Sequence, residues 1–150
     1  MFNTLQNSNF DILIDEQIGY NQSIIISSLF PTEIFHYSRQ FVTNKNYKLC
    51  TVQLNIPYTT TKGFRTIARV LLYLDNDMIY DGTIFSEQSN IIRPMNFNGH
   101  KSNLNFGQHS LKLMACVNSG ELHIPHLNKK GQEFLIQPPI SGSLLIIGYN

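Results

Sequence analysis

Five histidines, two cysteines and ten carboxylates are the side chains of this 150-residue chain that could do chemistry. His123 and His126 stand three apart, a spacing that shares a metal on a helix but points to opposite faces on a strand. Pro125 between them argues against a helix. No further Cys or His falls at ligand spacing, so no metal site is expected. Asp75-Asn76-Asp77 with Asp81 has the outline of a calcium loop. It lacks the central Gly and the distant Glu of the helical form, and a hairpin turn explains it without an ion. There is no G-x-S-x-G, and Ser141-Gly142-Ser143 reads as the turn into a last strand. Neither a G-x-G-x-x-G nor a phosphate-binding loop occurs. Asp11 and Asp15 bracket a strand in a context that does not suggest a glycosidase pair. No catalytic residue, metal or cofactor is assigned, and an enzyme is not expected.

Binding chemistry is easier to place. Asn96–Gly107 (NFNGHKSNLNFG) reads as the longest irregular stretch and contains Phe97, Asn98, His100, Asn103 and Asn105. An exposed ring can stack on a sugar face while amides bond its hydroxyls, so these five residues form a candidate ligand site. The alternative is two Gly turns flanking a short strand at Leu104, with loop aromatics (Phe30, Tyr37, Tyr58, Phe97, Phe106) folding back on the core.

The overall balance excludes several partners. Eleven Lys+Arg face ten Asp+Glu, a formal charge of +1. That gives no electrostatic reason to expect nucleic acid or an anionic membrane. Only 14% of residues are charged, against the usual quarter. Amides and hydroxyls take the polar positions instead, with 16 Asn alone. A neutral, amide-rich surface suits oligomer or sugar contacts; AT-rich codon usage is the alternative source of so many Asn. No stretch reaches the apolar length of a membrane span, and the first ten residues do not read as a secretory signal. Cys50 falls in phase with Val52, Leu54 and Ile56, whereas Cys116 falls with Lys112 and Met114. One faces the core and the other outward, which argues against a disulfide and for a protein made in a cytoplasm. Asn21-Gln22-Ser23 is a formal glycosylation sequon that this route would leave unused.

The elements that position these residues are strands. Tyr47–Ile56 (YKLCTVQLNI), His109–Val117 and Ser143–Tyr149 alternate with period two, the signature of a half-buried strand. Shorter strands are expected at Asp11–Asp15, Ser23–Ser28, Thr32–Tyr37, Ile91–Met95, Glu121–His126 and Glu133–Ile140. The continuous Ile24–Ile26 run suggests burial on both faces. Thr43–Asn46 and Pro57–Gly63 read as loops. Gly63–Leu74 fits a helical stripe and a strand face alike. The strand is favoured because a hairpin follows, with Asn76-Asp77 turning into Met78–Asp81. Asn118-Ser119-Gly120 turns again. Residues 1–9 read as a flexible arm and 10–150 as one all-β domain, an antiparallel β-sandwich of jelly-roll type.

The stretch Ile140–Ile146 (ISGSLLI) resembles the closing strand of TNF/C1q-like jelly rolls, and Gly107–Gly120 is similar to the Gly-led penultimate strands of trimeric viral and phage fibre heads. The resemblance implies a compact homotrimer that presents loops to a receptor or glycan, as a fibre head, spike or minor capsid component of a virion assembled in the host cytoplasm. Strand physics points the same way. Leu144–Ile147 is apolar on both faces, whereas a two-sheet sandwich leaves one face wet. Leu145, Ile147 and Tyr149 therefore read as an oligomer interface; the alternative is a loop or the N-terminal arm covering that face. A lectin-like carbohydrate-binding domain of a cellular protein is the alternative.

Overall fold

Alternation of apolar and polar side chains builds this molecule. The computed structural model describes residues 9–19, 23–60, 65–86, 92–124 and 142–150. Among them eleven strands follow in chain order: β1 (Phe10–Ile18), β2 (Ile24–Ile26), β3 (Thr32–Glu33), β4 (Arg39–Thr43), β5 (Tyr47–Thr60), β6 (Thr66–Leu74), β7 (Asp77–Ser86), β8 (Arg93–Leu104), β9 (Gly107–Ser119), β10 (Leu122–Ile124) and β11 (Gly142–Tyr149). One 3-10 turn, Phe35–Tyr37, is the only helical element among the described residues.

All pairings are antiparallel, in two sheets. One has the order β1-β11-β5 with β8 on the far side of β5; the other has β9 between β6 and β4, with β7 outside β6. Setting β1-β11-β5-β8 against β4-β9-β6-β7 gives the wrapping of an eight-stranded jelly roll. The short β3 adds to β9 beyond β4. Similarly, β10 pairs with Thr59 and Thr60 of β5, on the edge whose Leu49–Asn55 stretch is taken by β11. Outside β10 lies β2.

The core lies between the sheets. Cys50, Val52, Leu54 and Ile56 of β5 face Ala68, Val70, Leu72 and Leu74 of β6 and Leu111, Leu113, Ala115 and Val117 of β9, all buried. Leu144 and Ile146 complete it from β11. Arg39 ties the sheets at one margin: its guanidinium donates to the Glu16 carboxylate at 3.1 Å.

Several local expectations are corrected. The irregular stretch 96–107 is mostly strand: β8 runs unbroken to Leu104. Its Asn and Gly look like turn formers, but Met95, Phe97 and Gly99 are the buried positions of a period-two strand. Gly99 is needed for closeness rather than for a turn. A Cβ there would lie 2.8 Å from the Ile79 side chain and 3.0 Å from the Ile79 carbonyl oxygen, where β7 crosses β8. The expected loop at Pro57 is strand as well. Pro57 lies directly opposite Pro94, a pair that exchanges no N–H bond, so two residues without donors fit there. Thr43 belongs to β4, its side chain buried.

Thr32–Tyr37 splits into a two-residue strand and the 3-10 turn, because Tyr37 is drawn fully into the core. The β6–β7 turn falls one residue earlier than expected. Leu74 pairs with Asp77, and Asp75 and Asn76 take φ +51° and +71°, the two positive values of a tight hairpin turn. Ile25 is exposed, so the Ile24–Ile26 run is not buried on both faces. Cys116 faces away from the core as its phase predicts, yet it is buried; both cysteines are free thiols. The Gly63–Leu74 ambiguity resolves to strand from Thr66 onward. Residues 1–8 of the expected arm, residues 61–63 of the expected Pro57–Gly63 loop, Ile91, His126 and the expected Glu133–Ile140 strand lie outside the described residues.

The Gly99 contact yields a stability test. Gly99→Ala should lower the unfolding free energy by about 1–3 kcal/mol in urea titration, because the carbonyl of Ile79 cannot rotate away. Gly19→Ala, with nothing within 4 Å of the new methyl, should change it little.

Candidate functional site

Two places concentrate polar chemistry: one end of the sandwich, and the outer face of the β1-β11-β5-β8 sheet.

At the end of the sandwich the β6–β7 turn meets the start of β9. Asp75 accepts the Ser110 backbone N–H at 2.8 Å, and its other carboxylate oxygen accepts from His109 Nδ1. The second ring nitrogen of His109 sits 2.6 Å from the Asn105 carbonyl oxygen and 3.2 Å from the Thr43 hydroxyl. Lys101, on the inner side of β8, reaches across to Asp77 at 2.9 Å and toward Asp75 at 3.9 Å. A His beside a carboxylate is the usual start of an acid–base pair. Here both ring nitrogens are already engaged by protein oxygens, and the ring is buried. The arrangement therefore reads as a tie joining β4, the β6–β7 turn, the β8–β9 turn and β9.

Cys50, on the strand facing Lys101, supplies no nucleophile either. Burial pushes its thiol up to about 11, with the charge of Asp75 adding to the effect, so the thiolate is scarce at neutral pH. The outlined calcium loop is spoken for by cations of the protein: Asp75 and Asp77 face Lys101, and Asp81 takes a bidentate Arg69 at 2.8 and 2.6 Å. The Arg69 bonds hold the Asp81 carboxyl below its ordinary range. No group of three or more metal-ligating side chains occurs among the described residues.

The outer face is set by strand register. Four rows cross it from β1 through β11 and β5 to β8. The first is Phe10, Tyr149, Leu49 and Ser102; the second is Ile12, Ile147, Thr51 and His100. Then come Asp15, Leu145, Gln53 and Asn98, followed by Gln17, Ser143, Asn55 and Asn96. Between Ile12 and Ile14 a bulge in β1 inserts Leu13, which keeps Ile12 and Asp15 both outward. The first two rows are apolar over β1 and β11. Phe10 and Ile12 are exposed at 46% and 57%, and the Phe10 and Tyr149 rings lie 6.1 Å apart. The last two rows set five amides, the Ser143 hydroxyl and the Asp15 carboxylate around Leu145. Of these, Asp15, Gln53, Asn55, Asn96, Asn98 and Ser143 line a recess of about 350 Å³ with Leu145.

A knot closes the apolar end. The Tyr47 hydroxyl donates to Asp11 at 2.8 Å, and Lys45 pairs with the same oxygen at 2.9 Å. The bond from Lys45, then that from Tyr47, holds the Asp11 carboxyl below its ordinary range. Burial first, then the bond to Asp11, pushes the Tyr47 phenol up to about 12.

The structure divides the sequence-derived candidates. Asn98 and His100 are exposed on the outer face, and Leu145, Ile147 and Tyr149 are half-buried on that same face. Phe97 is not an exposed loop ring. It points inward from β8, stacked on Tyr80 with centroids 4.6 Å apart. Asn103, at φ +61°, is the penultimate residue of β8, and Asn105 follows it in the β8–β9 turn, giving its carbonyl to the His109 tie. The five residues named for ligand contact therefore do not converge. The recess was missed because its members come from four strands; only the Asn-rich composition hinted at it. Of the other loop aromatics, Tyr37 and Tyr58 are buried, while Phe30 and Phe106 are exposed.

No protein-family model matches the chain, and no curated protein matches it in sequence. Solved structures of similar shape include three unlike proteins. The insecticidal delta-endotoxin Cry8Ea1 of Bacillus thuringiensis is 10% identical, with a TM-score of 0.42 over 90% of this chain and 20% of its own. The VP2 subviral particle of infectious bursal disease virus is 12% identical, with a TM-score of 0.44 over 93% of this chain and 37% of its own. Dimeric latent PorU of Porphyromonas gingivalis is 9% identical, with a TM-score of 0.42 over 93% and 13%. The chain thus spans well under half the length of each, and likeness at this level assigns neither activity nor assembly. No helix among the described residues is long and apolar enough to cross a membrane.

Two measurements check this geometry. Asp75→Ala strips acceptors from the Ser110 N–H and His109 together, so the urea midpoint should fall by the equivalent of about 2–3 kcal/mol. Asp77→Ala, at an exposed carboxylate, should remove less than about 1 kcal/mol. Alkaline titration followed by tyrosinate absorbance should show a late phenol near pH 12 that is lost in Tyr47→Phe. Because the folded value of Tyr47 exceeds its unfolded value near 10, its contribution to stability is complete below pH 10 and fades as pH rises toward 12.

Proposed function

We propose that this chain is a non-enzymatic building block of a virus or phage particle, a fibre head, spike or minor capsid component, assembled as a homotrimer that presents its surface to a receptor or glycan. The observation that carries the reading is the apolar half of the outer face. Phe10, Ile12, Leu49, Ile147 and Tyr149 come from three adjacent strands and form two contiguous rows. In a sandwich whose core is already closed, a contiguous apolar patch on the outer face marks a surface that gains from contact with another body. The rigid β framework suits a part that works by shape and avidity, since sites repeated on one trimer gain effective affinity without new contacts. The absence of chemistry in the reading rests on the described residues: His109 has both nitrogens engaged, and Cys50 holds its proton.

The lectin-like reading keeps one specific support, the amide-lined recess beside Leu145. A lectin of this kind would work as a monomer or dimer and would leave the apolar rows unexplained.

Light scattering with sedimentation equilibrium separates the two. The wild-type chain should run near three times 17.2 kDa. Ile12→Asp places a charge in the middle of the apolar rows at an exposed position. It should shift the mass to that of one chain, with an unchanged far-ultraviolet spectrum. A wild-type monomer at tens of micromolar would overturn the assembly reading.

A further inference from the structure

We infer that the recess on the outer face, between Asp15 of β1 and Asn96 and Asn98 of β8, is a binding site for a neutral saccharide chain lying across the strands. The inference deepens the surface-presentation part of the proposed function and does not depend on trimer formation.

The chemistry of the lining argues for the ligand class. Gln53 stands opposite Asn98, and Asn55 opposite Asn96, so two cross-strand pairs put four amides side by side. Each amide offers a donor and an acceptor, and a sugar hydroxyl needs both. Ser143 adds a hydroxyl and Asp15 a carboxylate that only accepts. None of these six side chains is committed to a hydrogen bond within the described residues, unlike the amides and carboxylates at the His109 end of the sandwich. Leu145, half-buried in the middle of the third row, supplies an apolar floor for the C–H face of a sugar ring.

Charge narrows the class further. The lining contains no Lys or Arg, and its one ionisable group is the Asp15 carboxylate. Sialylated, sulfated or phosphorylated sugars would meet the like charge of the Asp15 carboxylate with no Lys or Arg in the lining to offset it. Nucleic acid is disfavoured on the same ground. The shape favours an extended ligand. Four strands spaced about 4.8 Å apart carry the two polar rows across roughly 14 Å, and the recess of about 350 Å³ lies within the range of small-ligand sites. No aromatic ring lines it, so recognition rests on hydroxyl bonding and the Leu145 floor, the pattern of a weak single site made effective by repetition.

Side-chain amide resonances of the full chain, followed in the presence of maltotriose, mannotriose, N-acetylchitotriose and sialyllactose, test the assignment. At least one neutral trisaccharide should shift the amide signals of Gln53, Asn55, Asn96 and Asn98 with millimolar affinity, and sialyllactose should not. Asn98→Ala and Gln53→Ala, both at exposed positions, should each weaken that binding roughly tenfold with the far-ultraviolet spectrum unchanged. Silence of all four amides toward every neutral sugar overturns the inference, as does binding that survives both substitutions. Protection of these amides on self-association, without any sugar response, assigns the recess to a second copy and overturns it too. Mass measured on the same samples keeps the two readings apart. A sugar-binding monomer sinks the trimer and leaves the recess standing, and a trimer deaf to sugar does the reverse.

Discussion

The larger sheet is organised by the need to satisfy the backbone of β5, which places β8, β11 and β10 directly. Its Leu49–Tyr58 stretch is mostly buried between neighbours, and buried N–H and C=O groups must find partners. β8 supplies them along one edge, from Tyr47 to Tyr58. The other edge is shared, β11 covering Leu49–Asn55 and β10 covering Thr59 and Thr60. Once β11 is fixed there, β1 has one edge left to join, and its register sets which side chains share the outer face. The graded surface that the functional reading uses is thus a by-product of pairing. Shift β1 by one residue and Phe10, Ile12, Asp15 and Gln17 would all turn toward the core.

Much of this was legible in the chain. The period-two runs in β5, β9 and β11 announced an antiparallel sandwich, and the turn residues before β7 announced a hairpin. What misled was residue type read without its partner. The segment NFNGH looked like turn chemistry because Asn and Gly favour turns in isolation. Gly99 is instead the place where β7 presses on β8, a contact between residues twenty apart that no local rule can see. Pro57 looked like a strand end for the same reason, and its partner Pro94 is nearly forty residues away.

The candidate site was legible by composition and illegible by position. Surplus Asn pointed to polar recognition, yet the choice of Phe97, Asn98, His100, Asn103 and Asn105 assumed that neighbours in sequence are neighbours in space. On a strand, Phe97 and Asn98 face opposite sides. The amides that do gather are Gln53 with Asn98 and Asn55 with Asn96. The aliphatic choice fared differently. Leu145, Ile147 and Tyr149 were read by alternation along one strand, and alternation puts them together on one face. The His109 tie had no local signature at all, since its oxygens come from residues 43, 75 and 105.

The larger sheet also has two interruptions at one height. β1 ends where Ile18 meets Gly142, and β2 resumes where Ile24 meets Ile124. Across the seam, β10 is held to one edge of β5 through Leu122 and His123, and β11 is held to the same edge from Ser143 onward. On both sides of the seam the described strand ends sit on anchored ladder positions only a few residues apart along the sheet. Lengthening a connection between fixed ends raises its closure entropy only logarithmically. The seam is therefore a place where evolution or an engineer can splice in new sequence while the framework keeps its register.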